Sequence, residues 1–337
     1  MGEALTRKRA FKLSFIVSTC LLLTGKLFHT KFDVKLRPTS GTLNVARNVY
    51  TCGHDLSIFV KVLLPEYTAL TLHSGSEAKS SDLLAIGMHG ECLEAKTFPG
   101  RVFYVNGESE VGQMVQRALY LGPVQRENHT HKQFYYASYA ALVLDVLHVL
   151  KRRPQPRKDR FLLYVQSNCV SEREAAFAMF AALGKVSAAG KCHGGLSQYE
   201  RVSRAGDWTN DVDVYSRYMF GLVMENTYVE GYVTEKIVAA FAGGTIPIYH
   251  GTEEVFKLFN RKAFIFFNKS NAEQTMLAVR HLMENSSAYE DMLTQPILSE
   301  QQYNRYFSLH RNGILYQEIR EFLRVAPERK HYLQYVH

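Results

Sequence analysis

The chain has 337 residues, enough for two domains of ordinary size, and its 46% hydrophobic and 21% charged residues exclude wholesale disorder. The formal charge of +8 is gathered in two runs: Arg7, Lys8, Arg9 and Lys12 near the start, and Lys151, Arg152, Arg153, Arg157, Lys158 and Arg160 midway. With no zinc-finger spacing and no aromatic single-strand signature beside them, these runs read as solvated surface and not as a nucleic-acid interface.

The first predicted element is apolar. Leu13 to Thr24 is apolar or small throughout, between Lys12 and Lys26. As a helix this stretch spans roughly 18 Å, short of the roughly 30 Å hydrocarbon core. Extension from Phe11 to Phe28, with both lysines snorkelling, gives a marginal span. The stretch reads as the apolar part of a signal peptide, with secretion after cleavage, or as a short signal anchor, and the lack of a convincing small-x-small cleavage site after it favours the anchor. Basic residues also follow it (Lys31, Lys35, Arg37), so charge asymmetry says little about orientation.

Beyond residue 41 apolar runs alternate with helical patterns. TLNVARNVY, TALTLH, LLAIGM and RVFYVN read as strands and LSIFVKVLL as an amphipathic helix. YASYAALVLDVLHVL (136–150) has helical spacing throughout and runs into KRRPQPRKD, the best linker in the chain. Then RFLLYVQ, KVSAAG, MFGLVM, TIPIYHG and AFIFF read as strands. Helices lie between and after them: one from Ser171 to Leu183, with Ser171 and Glu174 as a capping box, then TEKIVAAFAGG and NAEQTMLAVRHLMEN. Continuous apolar strands separated by helices predict parallel, doubly wound α/β sheets, which bind ligands beyond the carboxyl ends of their strands.

The densest chemistry is in MENTYVEGYVTEK (224–236), directly after the MFGLVM strand. It puts Glu225, Asn226, Tyr232, Glu235 and Lys236 on a strand-to-helix loop and first helical turn, where free N–H groups and the helix dipole favour a phosphate. Lys236 opposes that dipole unless an anion sits beside it. The bland alternative is that Thr234 caps the helix and the charges are surface decoration.

ENTYVEGYVTEKIVAAFAGGTIPIYHG closely resembles the signature of the α-1,3/4-fucosyltransferases, with its EN(S/T)…GYVTEK core, small-residue helix and following strand. The likeness continues through AFIFFN and AYEDMLTQ and covers roughly residues 100–325. It implies two Rossmann-like domains (GT-B architecture) with a cleft between them, preceded by a short N-terminal hydrophobic helix. The expected divisions are residues 1–41 as cytosolic tail, signal anchor and stem, and 42–150 as an acceptor-side domain. A GDP-fucose-binding domain over 151–305 and a C-terminal helix and tail over 306–337 complete them.

The resemblance also implies roles. Arg173 and Lys236 contact the donor's diphosphate, Glu235 faces its ribose and sugar ring, and Asn226 and Tyr232 make further donor contacts. Two cations and backbone donors hold the leaving GDP without a required metal or other cofactor, with manganese stimulation left open. Glu108, in the strand-loop RVFYVNGESE, takes the place of the general base, with Glu110 as the second candidate because the family's His-Glu-Ser-Pro form is absent. Partners are GDP-fucose, an oligosaccharide or glycoprotein acceptor and, through the anchor, a membrane; the location implied is the Golgi, with the catalytic part lumenal. The acceptor is left open among N-acetylglucosamine in lactosamine-type chains, the N-glycan core and glucose. The rivals are a GT-B enzyme with another nucleotide-sugar donor and a non-catalytic glycan-binding relative.

Lesser patterns take plainer readings. Asp211-Val212-Asp213 reads as helix-start acidity in preference to a metal pair, and His129 and His131 as loop polarity in preference to ligands. The five cysteines (Cys20, Cys52, Cys92, Cys169, Cys192) form no CxxC and no repeated spacing, which argues against a zinc site and a disulfide framework. One or two bridges stay open to a lumenal chain.

Overall fold

The computed structural model describes residues 47–53, 55–88, 92–110, 118–125, 130–151, 158–204 and 206–325. The chain divides into a unit Met1–Asn44 and a unit Val45–His337, and all the described residues belong to the second. The apolar segment at 11–28 and the run 152–157 therefore lie outside the described residues. Among the described residues no helix is long and apolar enough to cross a membrane.

In the first half the strands are Asn48–Cys52 (β1), Thr68–Thr71 (β2), Leu83–Gly87 (β3), Arg101–Val105 (β4), Leu119–Gly122 (β5) and Thr130–Gln133 (β6). The helices are Ser57–Leu63 (α1), Tyr136–Val143 (α2) and Leu147–Lys151 (α3). The strands form one parallel sheet in the order β2-β1-β3-β4-β5-β6. Leu83 to Gly87 is buried at every position, because a central parallel strand has both faces covered.

The second half repeats the design. Its strands are Arg160–Gln166 (β7), Val186–Gly190 (β8), Glu200–Val202 (β9), Tyr218–Met224 (β10), Ile246–His250 (β11) and Ile265–Phe266 (β12). Between and after them come helices Ser171–Phe180 (α4), Asp211–Tyr215 (α5), Glu235–Ala242 (α6) and Val255–Leu258 (α7). The remaining helices are Ala272–Glu284 (α8), Ser286–Leu293 (α9), Glu300–Gln302 (α10) and Ile314–Phe322 (α11). The sheet is again parallel, in the order β12-β11-β10-β7-β8-β9. Numbered from β7 this is the 3-2-1-4-5-6 order of dinucleotide-binding sheets, and its direction reverses between β7 and β10. The switch point, where such sheets bind ligands, therefore lies beyond Gln166 and Met224, the last residues of those two strands.

Two helices tie the halves together. α2 starts beside the first sheet, yet Ala137 and Ala141 bury in the same cluster as Ile237, Val238 and Phe241 of α6. α11 returns to the first sheet, where Leu315, Tyr316 and Ile319 pack with Val49, Phe59 and Phe103. Arg320 holds Glu66, and Lys132 meets Glu318 at 2.6 Å.

Four features depart from the sequence reading or complete it. The predicted helix over 136–150 is two helices, because Asp145 adopts φ 53° and ends the first. The capping box at the start of α4 is absent: Val170 occupies the cap without a side-chain bond. β5, β6 and β9 are strands that the sequence reading did not propose. Finally, two disulfides join Cys52 to Cys92 and Cys169 to Cys192, where the cysteine spacing argues against a framework but leaves one or two bridges open. Each pair follows neighbouring parallel strands (β1 with β3, β7 with β8), so the sheets bring together loops 40 and 23 residues apart in sequence.

Candidate active site

The site is assembled at the carboxyl ends of β7 and β10. Arg173, in the first turn of α4, is only 2% exposed. Its guanidinium donates to Gln166 Oε1 at 2.7 Å, to Asn226 Oδ1 at 2.9 Å and to the carbonyl of Asn168. Burial pushes its pKa down, against the pull of Tyr164 and Glu225. The side chain thus binds the ends of both switch-point strands, with its buried Nε lacking a partner among the described residues. Glu174 accepts from Tyr164 at 2.7 Å and from the N–H groups of His193 and Gly194 at 3.1 and 2.6 Å, so it shapes the loop after β8 where a cap was expected.

Glu225, 4% exposed, organises the next loop. It accepts from Thr234 N at 2.9 Å, from Thr234 Oγ1 at 2.7 Å and from Tyr249 at 3.2 Å. That fixes the residue preceding α6, and Thr234 does not cap the helix with its own side chain. Lys236 lies 3.1 Å from Glu235 and 3.6 Å from Glu225 and donates to Thr234 Oγ1 at 3.0 Å. The anions beside it are therefore these carboxylates. Burial works against charge on Lys236, yet Glu235 and then Glu225 outweigh it and hold its pKa above the ordinary value. Burial pushes the Glu225 carboxyl up, opposed first by Lys236.

Across the cleft, Asn106 turns the chain after β4: Glu108 N donates to its Oδ1 at 2.8 Å, and its amide donates to the Glu110 carbonyl at 3.1 Å. The Tyr232 hydroxyl, from the loop before α6, donates to Glu108 Oε2 at 3.1 Å. Glu108 is half-buried there, whereas Glu110 is exposed. Two glycines permit the approach. A Cβ on Gly107 would lie 2.0 Å from the Tyr136 ring, and one on Gly231, at φ +85°, would lie 2.1 Å from the Pro123 carbonyl.

The structure thus gathers Arg173 with Asn226, Glu235 with Lys236, and Glu108 with Tyr232. It does not bring Asp211, Asp213 or His131 to them as a ligand set. Asp211 opens α5 and meets Arg204 at 2.6 Å as an ion pair that lacks hydrogen-bond alignment; burial pushes its carboxyl up to about 6. His131 bonds the Gly122 carbonyl at 3.0 Å and stacks on Tyr120, and His129 lies outside the described residues. Among the described residues, the two sets of three metal-type ligands are Cys52, Cys92, Glu94 and Cys169, Glu174, Cys192, and the sulfurs of both are already joined in disulfides. Sequence reasoning placed Glu225 in the loop without a role and passed over Gln166 and Tyr249. The available signal was a lone glutamate ending a wholly apolar strand.

Residues 155–321 match the C-terminal region of glycosyltransferase family 10 (fucosyltransferase). This part of the chain is similar to that family. The chain is 38% identical over 99 residues to an alpha-(1,3)-fucosyltransferase of Helicobacter pylori, 29% of this chain and 21% of that protein. It is also 28% identical over 138 residues to GDP-fucose protein O-fucosyltransferase 3 of Gallus gallus, 39% of this chain and 29% of that one. The chain thus spans about a fifth to a third of the length of these relatives. The fold extends the likeness over both sheets. A solved alpha1,3-fucosyltransferase with GDP-fucose superposes with a TM-score of 0.59 over 85% of this chain and 91% of that one, at 20% identity.

Proposed function

We propose that the chain is an inverting fucosyltransferase that moves L-fucose from GDP-β-L-fucose to a glycan hydroxyl, as an α-1,3 linkage to N-acetylglucosamine. The observation that carries this reading is the Tyr232–Glu108 hydrogen bond. It sets a carboxylate of the first sheet against the family 10 loop that holds Asn226, Glu235 and Lys236. In the reaction Glu108 takes the proton of the acceptor hydroxyl as its oxygen attacks carbon 1. The bond from carbon 1 to the β-phosphate oxygen breaks on the opposite face, and GDP leaves with the electron pair. Attack from the face away from the departing GDP converts the β-linked donor into an α-fucoside.

The entering diphosphate takes Lys236 from Glu235, and the freed Glu235 carboxylate accepts from the hydroxyls of the donor's ribose and sugar. Arg173 acts at the same phosphates, with Asn226 and Tyr232 completing the donor contacts. The relatives named as fucosyltransferases support GDP-fucose as the donor. We place the enzyme on the Golgi membrane with its catalytic part lumenal; the apolar segment at 11–28 and the two disulfides, which suit an oxidising compartment, support this. A second reading, with a protein hydroxyl as acceptor, has the name of the Gallus gallus relative in its favour.

Glu108→Gln tests the assignment. Turnover should fall by roughly two to four orders of magnitude with GDP affinity nearly unaltered, because only the proton acceptor is lost. Glu110→Gln should keep most activity. Reversed results would make Glu110 the base, and two active variants would remove both from that role.

A further inference from the structure

Tyr136 opens α2 and is 7% exposed, yet its hydroxyl donates no hydrogen bond to any described residue. The oxygen itself reaches solvent, so it is open to the polar group of a ligand. Its ring lies on the bare backbone of Gly107, the residue before Glu108, where even a methyl group would collide with it. Burial first, then Glu235, Tyr139, Glu108 and Asp207, push its pKa up, so the phenol is a neutral donor within electrostatic reach of both the acceptor-side and donor-side carboxylates.

A second aromatic ring beside it comes from the second half of the chain. Trp208, on the connection between β9 and β10, is half-buried and packs on the core of the first sheet. Its ring centroid is 6.0 Å from that of Tyr136, tilted by 56°. An aromatic face beside a directed hydroxyl is the chemistry that recognises a pyranose. The sugar's C–H face packs on the negative face of the ring, and its hydroxyls take the polar handle.

Granting the transferase reading above, we propose that Tyr136 and Trp208 form the subsite for the acceptor sugar. Trp208 packs against the apolar face of the pyranose, and the Tyr136 hydroxyl donates to the ring substituent next to the hydroxyl that Glu108 deprotonates. Both are positioning residues. They orient the acceptor and leave the donor to Arg173, Glu235 and Lys236.

Trp208 is the sole tryptophan of the chain, so its emission reports the subsite directly. With GDP saturating, titration of the full chain with N-acetyllactosamine, N,N′-diacetylchitobiose or lactose should change that emission saturably for the sugar that is turned over. Tyr136→Phe keeps the ring on Gly107 and should raise that sugar's Kd and KM about tenfold, the effect of one lost hydrogen bond. Its Kd for GDP and its Tm should match the parent. Trp208→Ala should raise the acceptor KM at least as much, again with GDP affinity kept. Turnover on a sugar with KM unchanged in both variants overturns the subsite. So does a protein that binds GDP and cleaves GDP-fucose but fucosylates only a serine- or threonine-containing peptide, an outcome that leaves the transferase reading standing. A protein that neither binds GDP nor cleaves GDP-fucose removes that reading, and the subsite with it.

Discussion

Lys236 meets the carboxylates of Glu235 and Glu225 at 3.1 and 3.6 Å, while Arg173 is held by Gln166, Asn168 and Asn226. Removal of either cation should therefore be felt in stability as well as in binding. Lys236→Ala leaves two carboxylates unopposed where the proposed diphosphate enters, so GDP affinity should fall by about 1.5–3 kcal/mol. Tm should fall too, because buried Glu225 loses its counter-charge. Arg173→Ala also weakens GDP binding, and it leaves buried acceptors on Gln166 and Asn226 without their donor. A stability loss of about 1–3 kcal/mol should accompany it. Calorimetric titration with GDP alongside thermal denaturation reads the two effects in each variant. Unchanged GDP affinity in both variants, with the fold intact, would remove the diphosphate role from both. In the sequence both residues looked alike, as basic side chains near a helix start. Burial and partners distinguish them, and those are properties of the fold.

At the level of elements, the central strands β3, β7, β10 and β11 were legible as continuous apolar runs. They are the strands with both faces covered, so their composition carries the signal. β6 and β9 are the outermost strands of their sheets and read THKQ and ERV, with no buried residue between them. An edge strand is stabilised on one side by its neighbour, so its side chains need carry no pattern. The break between α2 and α3 was hidden for another reason. Leu142 to Leu150 keeps helical spacing, but exposed Asp145 sits in the left-handed region at φ 53°. That conformation costs an L-residue roughly 1–2 kcal/mol. Asp145→Gly should therefore raise the unfolding free energy by up to about 1 kcal/mol, read as a shifted urea midpoint at constant m-value. A destabilised Asp145→Gly would mean that the aspartate contributes something beyond the turn.

At the level of the whole molecule, the proposed chemistry depends on the contact that sets Glu108 against the loop before Lys236. Charge on the leaving GDP falls to side chains and backbone donors in this arrangement, so activity should survive EDTA at a substantial rate even if manganese raises it. Complete loss, restored by metal, would shift weight to Asp211 and Asp213. By itself the sequence determined the α/β class, the strand-to-helix loop at 224–236 and the residue types within it, because apolar runs, helix spacing and a family signature are all local patterns. Only the tertiary structure decided that β7 and β10 flank the switch point, that Cys52 meets Cys92 and Cys169 meets Cys192, and that Tyr232 reaches Glu108. Those pairings join residues far apart in sequence, which only strand order brings together, and strand order follows from burying both faces of two sheets at once.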